Sequence, residues 1–455
     1  MRLTASIGLV ATACATPVDW QPLEYSDCQR YNAPSSNDDS FVITEVFGEE
    51  REAGVVLQII GPNETTWLPD GAPVVVAVVG GIDTDYLPLA EAERMLNSGR
   101  GFVQLIPNLP GGEGPAATAG ANDYRGADSR AALHLALRYA ADELADVDGC
   151  FLSDRLHVPL SSIAPILHGQ SNGGNLAVSL LADEERELPE ISGLITFEVP
   201  AGAQFIAGEF GPEDRLIPTY ESGACTWNAE DGIVCDFDYG AVGWEESLNV
   251  TVFTTGEITG GAAYYDLDTD GAHDPLFEPV IAGLRPRIED KNRMIVSAQL
   301  AALLRELDPV PELVLPADEA LNFWQNRDAG RRAAGAAANH PDLKAIVIGT
   351  DNDHRQPIPD HPHITGLAWA LYASGAEWVR VNPDDTYVER FSGLPGSWTD
   401  NDANSVEGTG DTNQAMEPES SEAGPRGLVT AAAMELSDRT YWSDWSTNLT
   451  QPLGD

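Results

Sequence analysis

Gly169-Gln170-Ser171-Asn172-Gly173-Gly174 sets one hydroxyl between glycines spaced for a sharp reversal of the chain. A serine in such a turn can attack an acyl carbonyl, provided that a base takes its proton and backbone amides hold the oxyanion that forms. The apolar run 163–167 precedes the turn, and the helix-forming Leu176-Ala177-Val178-Ser179-Leu180-Leu181 follows it. Strand, turn and helix thus come in the order that exposes a nucleophile at a sheet edge. Gly169 and Gly173 suit the bend because the returning helix passes too close for a Cβ at either position. Ser171 is the candidate nucleophile, and the Asn172 N–H the first candidate oxyanion donor.

A second donor is expected from Gly80-Gly81-Ile82-Asp83, which follows the β-branched run 74–79, with Gly81 and Ile82 as the candidates. The base is expected from the loop after the strand 344–349, where His354, His361 and His363 stand among Asp351, Asp353 and Asp360. His354 leads as base and His361 is its rival, with Asp351, Asp353 or Glu198 as the orienting carboxylate. The same loop also reads as a polar cap, with Asp360 as N-cap of a helix starting near Pro362. His363 is expected in the first turn of that helix, and His168, inside a strand, in the core. No histidine follows His363.

The elements that must carry these groups alternate. Strand-like runs at 41–46, 55–60, 74–79, 101–106, 163–167, 193–199, 344–349 and 377–382 interleave with helical stretches at 87–98 and 127–144, and near 428–436. Such alternation, with near-continuous apolar strands, predicts an α/β fold with a doubly wound, mostly parallel sheet. The stretch between the sixth and seventh strands is too long for a crossover. It reads as an inserted cap, with a helix near 287–307 and one amphipathic helix over 317–338. Trp442 and Trp445 are expected to pack on the body.

With these residues the chain resembles an α/β-hydrolase over 41–204 and 341–390. Its loop Asp353-His354-Arg355-Gln356-Pro357 is similar to the acid loop of the esterase and prolyl-peptidase branch. The resemblance implies Asp353 as the orienting carboxylate, small-molecule or peptide substrates joined through ester, thioester or peptide bonds, and no organic cofactor. The chain departs from the family after the last strand, where the triad histidine normally stands and this sequence has Asn382-Pro383-Asp384-Asp385. The expected organisation is an export signal (1–13), a tether (14–40), the hydrolase core in two parts (41–204 and 341–395), the cap (205–340), an acidic linker (396–424) and a helical end (425–455). The function read from it is an exported serine hydrolase cleaving an ester or peptide acyl bond. The rival is a non-catalytic surface lipoprotein that keeps the fold and binds through a calcium-stabilised cap.

Asp266-Leu267-Asp268-Thr269-Asp270-Gly271 resembles the first half of an EF-hand-type loop, with carboxylates at alternate positions before a turn glycine. Asp266, Asp268, Asp270 and Glu278 are the expected ligands of a structural Ca²⁺, with a carbonyl from Ala272. The alternative is an acidic turn in an acidic protein. Lys+Arg number 25 against 72 Asp+Glu, a net charge of −47, which excludes nucleic acid and anionic lipid as partners. High-salt adaptation and export with cation sites both account for that balance. Val10-Ala11-Thr12-Ala13-Cys14 resembles a lipobox with Ala11 where leucine is usual, so lipidation of Cys14 and plain secretion both stand, and a lipid anchor is the one expected membrane contact. Cys225 and Cys235 flank the turn-rich 228–232 and are expected to close a hairpin disulfide, with Cys28 and Cys150 left as the remaining pair.

Overall fold

The computed structural model describes residue 28 and residues 42–49, 51, 53–62, 66–81, 101–111, 117–184, 186–202, 223–235, 238–248, 250–252, 256–258, 261–281, 295–307, 314–349, 361–384, 387 and 425–445. The export signal with Cys14, the tether apart from Cys28, the helix expected at 87–98 and the linker at 396–424 lie outside these residues.

Successive side chains of a strand point to opposite faces, so an unbroken apolar strand needs cover on both. Val74–Val78 (β3) shows the result: Val74, Val76 and Val78 enter one core, and Val75 enters a second across the sheet. The sheet is completed by β1 (Val42–Val46), β2 (Val55–Ile60), β4 (Val103–Pro107), β5 (Ile166–Gln170), β6 (Gly193–Phe197), β14 (Lys344–Ile348) and β15 (Trp378–Val381). Its eight strands run in the order β1-β2-β4-β3-β5-β6-β14-β15. β2 is antiparallel to β1 and β4, and every pair from β4 to β15 is parallel. This doubly wound, mostly parallel order is that of the α/β-hydrolase fold. The order reverses between β3 and β5, and in such sheets a ligand binds outside the carboxyl ends at that reversal.

The larger core lies under α1 (Ala127–Ala140), α2 (Asn172–Leu181), α5 (Ala329–Asn339) and α6 (Pro362–Ala373). On the opposite face α7 (Pro425–Trp442) packs Leu428, Val429, Ala432 and Leu436 against Ile195, Ile346 and Trp378. Buried Glu435 anchors it, accepting from Arg439 Nε at 2.9 Å and from the Asp384 N–H at 2.7 Å. Trp445 packs edge-on to Trp378, with ring centroids 5.2 Å apart. Trp442 does not follow the expectation: it is 65% exposed, because it closes α7 on the face turned from the sheet.

Between β6 and β14 the chain forms the hairpin β7 (Cys225–Asn228) and β8 (Gly232–Cys235), then β9 (Val242–Glu245), β10 (Val250–Val252), β11 (Gly256–Ile258), β12 (Ala262–Tyr265) and β13 (Val280–Ile281). β13-β12-β9 make a small antiparallel sheet. Two short helices, α3 (Ala298–Leu304) and α4 (Ala317–Gln325), precede α5. The single amphipathic helix expected over 317–338 is in fact two, α4 and α5. Asp328 breaks it by adopting an extended N-cap conformation and accepting the Gly330 N–H at 2.9 Å. α5 then packs on α2 and α6 as part of the layer covering the sheet.

Cys225 and Cys235 are register partners across β7 and β8 and are bonded, and Cys28 is bonded to Cys150 across 122 residues. Two disulfides fit an oxidising compartment. No helix among the described residues is long and apolar enough to cross a membrane.

Candidate active site

Ser171 stands directly after β5 as N-cap of α2, with φ 49° and ψ −128°. This is a conformation that L-residues avoid and that persists only where surroundings enforce it, at a cost of about 1–3 kcal/mol. The enforcing contacts are visible. The Ser171 N–H donates to Phe197 O of the neighbouring strand at 2.8 Å, and its carbonyl accepts the Gly174 N–H at 2.8 Å. A Cβ on Gly173 would sit 2.4 Å from Val78 O, and one on Gly169 would sit 2.4 Å from the Gly174 Cα. The helix therefore crosses the ends of β3 and β5 with no room for a side chain, and Ser171 is lifted, partly exposed, onto the carboxyl edge.

The turn after β3 passes over it. A Cβ on Gly80 would lie 3.0 Å from Ser171 Cβ and 3.7 Å from its Oγ, and Gly81 adopts φ 79°. A residue that motif reasoning missed sets this turn. Buried Arg125 donates from Nη2 to Gly80 O at 2.7 Å and to Val79 O at 3.3 Å, and from Nε to Gly81 O at 2.9 Å. Across a trans peptide the Gly80 carbonyl and the Gly81 N–H point in opposite directions, so fixing the first on Arg125 turns the second away from it. Asn172 opens α2, where the first N–H groups have no intrahelical acceptor. Gly81 and Asn172 are thus both placed at the turn around Ser171, while Ile82 lies outside the described residues.

Arg125 is itself held. Tyr124 and Arg125 both have positive φ, and Arg327, at the end of α4, donates to Tyr124 O at 2.7 Å and to Asp123 O at 2.8 Å. Burial brings the Arg327 guanidinium down to about 10, so it stays charged at neutral pH. A second tie joins the same junction to the helix of the turn. Asn175 on α2 accepts the Ala329 N–H at 2.9 Å, and Asp328 accepts the Gly202 N–H at 2.7 Å. Burial pushes the Asp328 carboxyl up to about 6 against these hydrogen bonds.

Glu198 is the one candidate carboxylate within the described residues; Asp351, Asp353 and His354 lie outside them. It follows β6 directly, is buried, and has φ 45°. Because Gln170 and Phe197 are register partners, Glu198 stands beside Ser171 on the adjacent strand. His361, not Asp360, is the N-cap of α6, with φ 38° and ψ 58°. It is buried, as is His363 within the first turn, with ring centroids 5.8 Å apart. A Cβ on Gly349 would meet Ile364 at 2.9 Å, so α6 starts against the end of β14 and His361 shares the carboxyl edge with Ser171. After β15, where the resemblance drawn from the sequence would place a histidine, Asn382 accepts the Gly349 N–H at 3.0 Å. His168 is a core residue as expected: its Nδ1 lies 3.3 Å from Ile195 O, and burial takes it down to about 4, which keeps it neutral.

In the β12–β13 loop, carboxylate oxygens of Asp266, Asp268 and Glu278 lie within 4.8 Å of one another. Asp270, expected with them, is not in that group; its Oδ1 accepts the Ala272 N–H at 2.8 Å.

No family model and no curated protein matches the chain. Among solved structures it is similar to fungal esterases of Rhizomucor miehei at 11% identity, over 89% of this chain and 84% of theirs, with a TM-score of 0.38. It is similar to carboxyl esterase 2 of Tuber melanosporum at 10% identity, over 78% and 79%, with a TM-score of 0.34. Similarity to a bacterial heroin esterase is 17% identity over 40% of this chain and 50% of that one, with a TM-score of 0.25.

Proposed function

We propose that the protein is an exported serine hydrolase that cleaves an ester or peptide acyl bond through Ser171. One observation carries the reading. A serine is held in a costly left-handed conformation at the reversal point of the sheet, between a helix start and a glycine turn tied down from behind. Strain of this kind at a strand end is what an exposed nucleophile requires and what a merely structural serine does not.

In the proposed reaction Ser171 Oγ attacks the acyl carbonyl while a histidine of the 354–361 loop takes its proton. His361 and His354 are the two candidates. Glu198 or Asp353 orients the ring. The N–H groups of Asn172 and Gly81 hold the oxyanion, and the returned proton releases the alcohol before water clears the acyl-enzyme. Nothing in this sequence of steps calls for a cofactor. The disulfides support export, and a lipid anchor at Cys14 would hold the enzyme at the envelope.

The test is labelling by a fluorophosphonate probe, with turnover of p-nitrophenyl acetate alongside. Both should vanish in Ser171→Ala, and His354→Ala or His361→Ala should identify the base by its loss of turnover. The position after β15, occupied by Asn382, favours a second reading, a non-catalytic binding protein on the same fold. Absence of labelling in the parent protein from pH 5 to 9 would favour that reading and end the first.

A further inference from the structure

Leaving β12, the chain turns through Asp266 to Asp274 and returns at Glu278 to β13. Asp266 is 8% exposed and Glu278 is 3% exposed, yet neither makes an ion pair with any lysine or arginine among the described residues. Burying two carboxylates beside a third, in a chain of net charge −47, is unfavourable unless a cation joins them.

The hydrogen bonds show which oxygens have capacity to spare. Asp266 Oδ2 accepts the Gly271 N–H at 3.1 Å, which closes the turn that Gly271 permits with φ 76°. Asp266 Oδ1 is buried and has no donor. Glu278 accepts the Leu267 N–H on Oε1 at 2.9 Å and the Asp274 N–H on Oε2 at 2.8 Å, one each, which leaves a lone pair on both oxygens. This buried oxygen without a donor is free to bind a cation, and its immediate company is two more carboxylates.

We infer that Asp266, Asp268 and Glu278 bind one calcium ion. The three oxygens lie within 4.8 Å of one another, close enough to share one centre about 2.4 Å from each. All the ligands are hard oxygens, and one flank of the loop is open to water, which suits the large, variable coordination number of calcium. The ion neutralises the cluster and ties the two ends of the β12–β13 loop together. It thereby fixes Leu276 and Phe277, which stand 77% and 70% exposed on that loop. This site is independent of the proposed chemistry at Ser171.

The experiment uses the full chain, stripped with a chelator and titrated with terbium. Tyr264 and Tyr265 end the strand before the site and serve as the sensitiser. Saturable sensitised emission at one ion per chain is expected, displaced by calcium at micromolar to millimolar concentration and not by equal magnesium. Calcium should also raise the thermal unfolding midpoint. Asp266→Asn keeps the acceptor for the Gly271 N–H while removing the charge, so it should fold and should bind at least about tenfold more weakly. Glu278→Gln should behave alike, and Asp231→Asn, in the exposed β7–β8 turn, should bind as the parent does. Unsaturable emission, equal displacement by magnesium, or undiminished binding by Asp266→Asn would each overturn the assignment.

Discussion

Replacing Arg125 by lysine tests whether the turn over Ser171 is set from behind. The guanidinium reaches three successive carbonyls, those of Gly80 at 2.7 Å, Gly81 at 2.9 Å and Val79 at 3.3 Å. A lysine ammonium is a point charge on a shorter stem, and from the same backbone it can serve one of them well. Two charge-assisted hydrogen bonds are lost, each worth about 1.5–3 kcal/mol in a buried setting. Taking the lower end for both gives about 3 kcal/mol, roughly a hundredfold in rate if the loss is felt where the oxyanion forms. That equals the effect of deleting one oxyanion donor, about 10²–10³ in kcat. Turnover of p-nitrophenyl acetate is the assay, with kcat and KM resolved separately. The fall belongs in kcat, with KM within about threefold of the parent, because the donors act on the transition state more than on the bound ester. Fluorophosphonate labelling should slow in parallel, since phosphonylation also builds charge on an oxygen held there. A folded Arg125→Lys protein that keeps kcat within about threefold of the parent refutes the argument.

Asp328→Asn should stabilise the protein at pH 8 by up to about 3 kcal/mol, since the ionised parent carboxylate is buried and the amide can keep both caps. The sign follows from the carboxyl rising from 3.8 to about 6 on folding. The folded state holds the extra proton between these values, so the favourable contribution is present below about pH 4 and is lost as pH rises through 6. The difference in urea midpoint between parent and variant should therefore grow from pH 4 to pH 8, and a constant difference would contradict it. Removing the disulfides should act unequally. Cys28–Cys150 spans 122 residues and Cys225–Cys235 spans 10, so loop entropy assigns about 5 and about 3 kcal/mol. Cys28→Ser should accordingly lower the unfolding midpoint more than Cys225→Ser does, and the reverse order would show that strain or packing dominates.

The turn that carries Ser171 was legible in the sequence because the constraint behind it is local and steric: glycines two residues away on either side must clear a crossing helix, and that spacing is visible in the chain. The strands were legible because cover on both faces leaves unbroken apolar runs such as 74–79. Arg125 was not, because its partners lie more than 40 residues away in backbone carbonyls, which have no sequence signature. The break between α4 and α5 escaped because the apolar spacing of the two helices continues in phase through Asp328, whose role as a cap depends on Gly330 and on distant Gly202. Asp268 and Asp270 look alike in a pattern of alternate carboxylates, and only the path of the turn separates the convergent one from its neighbour. Trp442 looked like core by composition, and its position at the outer end of α7 leaves it in water.

On the reading that Ser171 is the nucleophile, the strut from Arg327 through Tyr124 to Arg125 gives the insertion a bearing on rate. An engineer who grafts a foreign lid onto this scaffold to widen its diet must leave the stretch from Phe323 to Asp328 with the host, cutting upstream of it. A transplant that carries the joint away would arrive with a mouth of the chosen shape and a slack trigger.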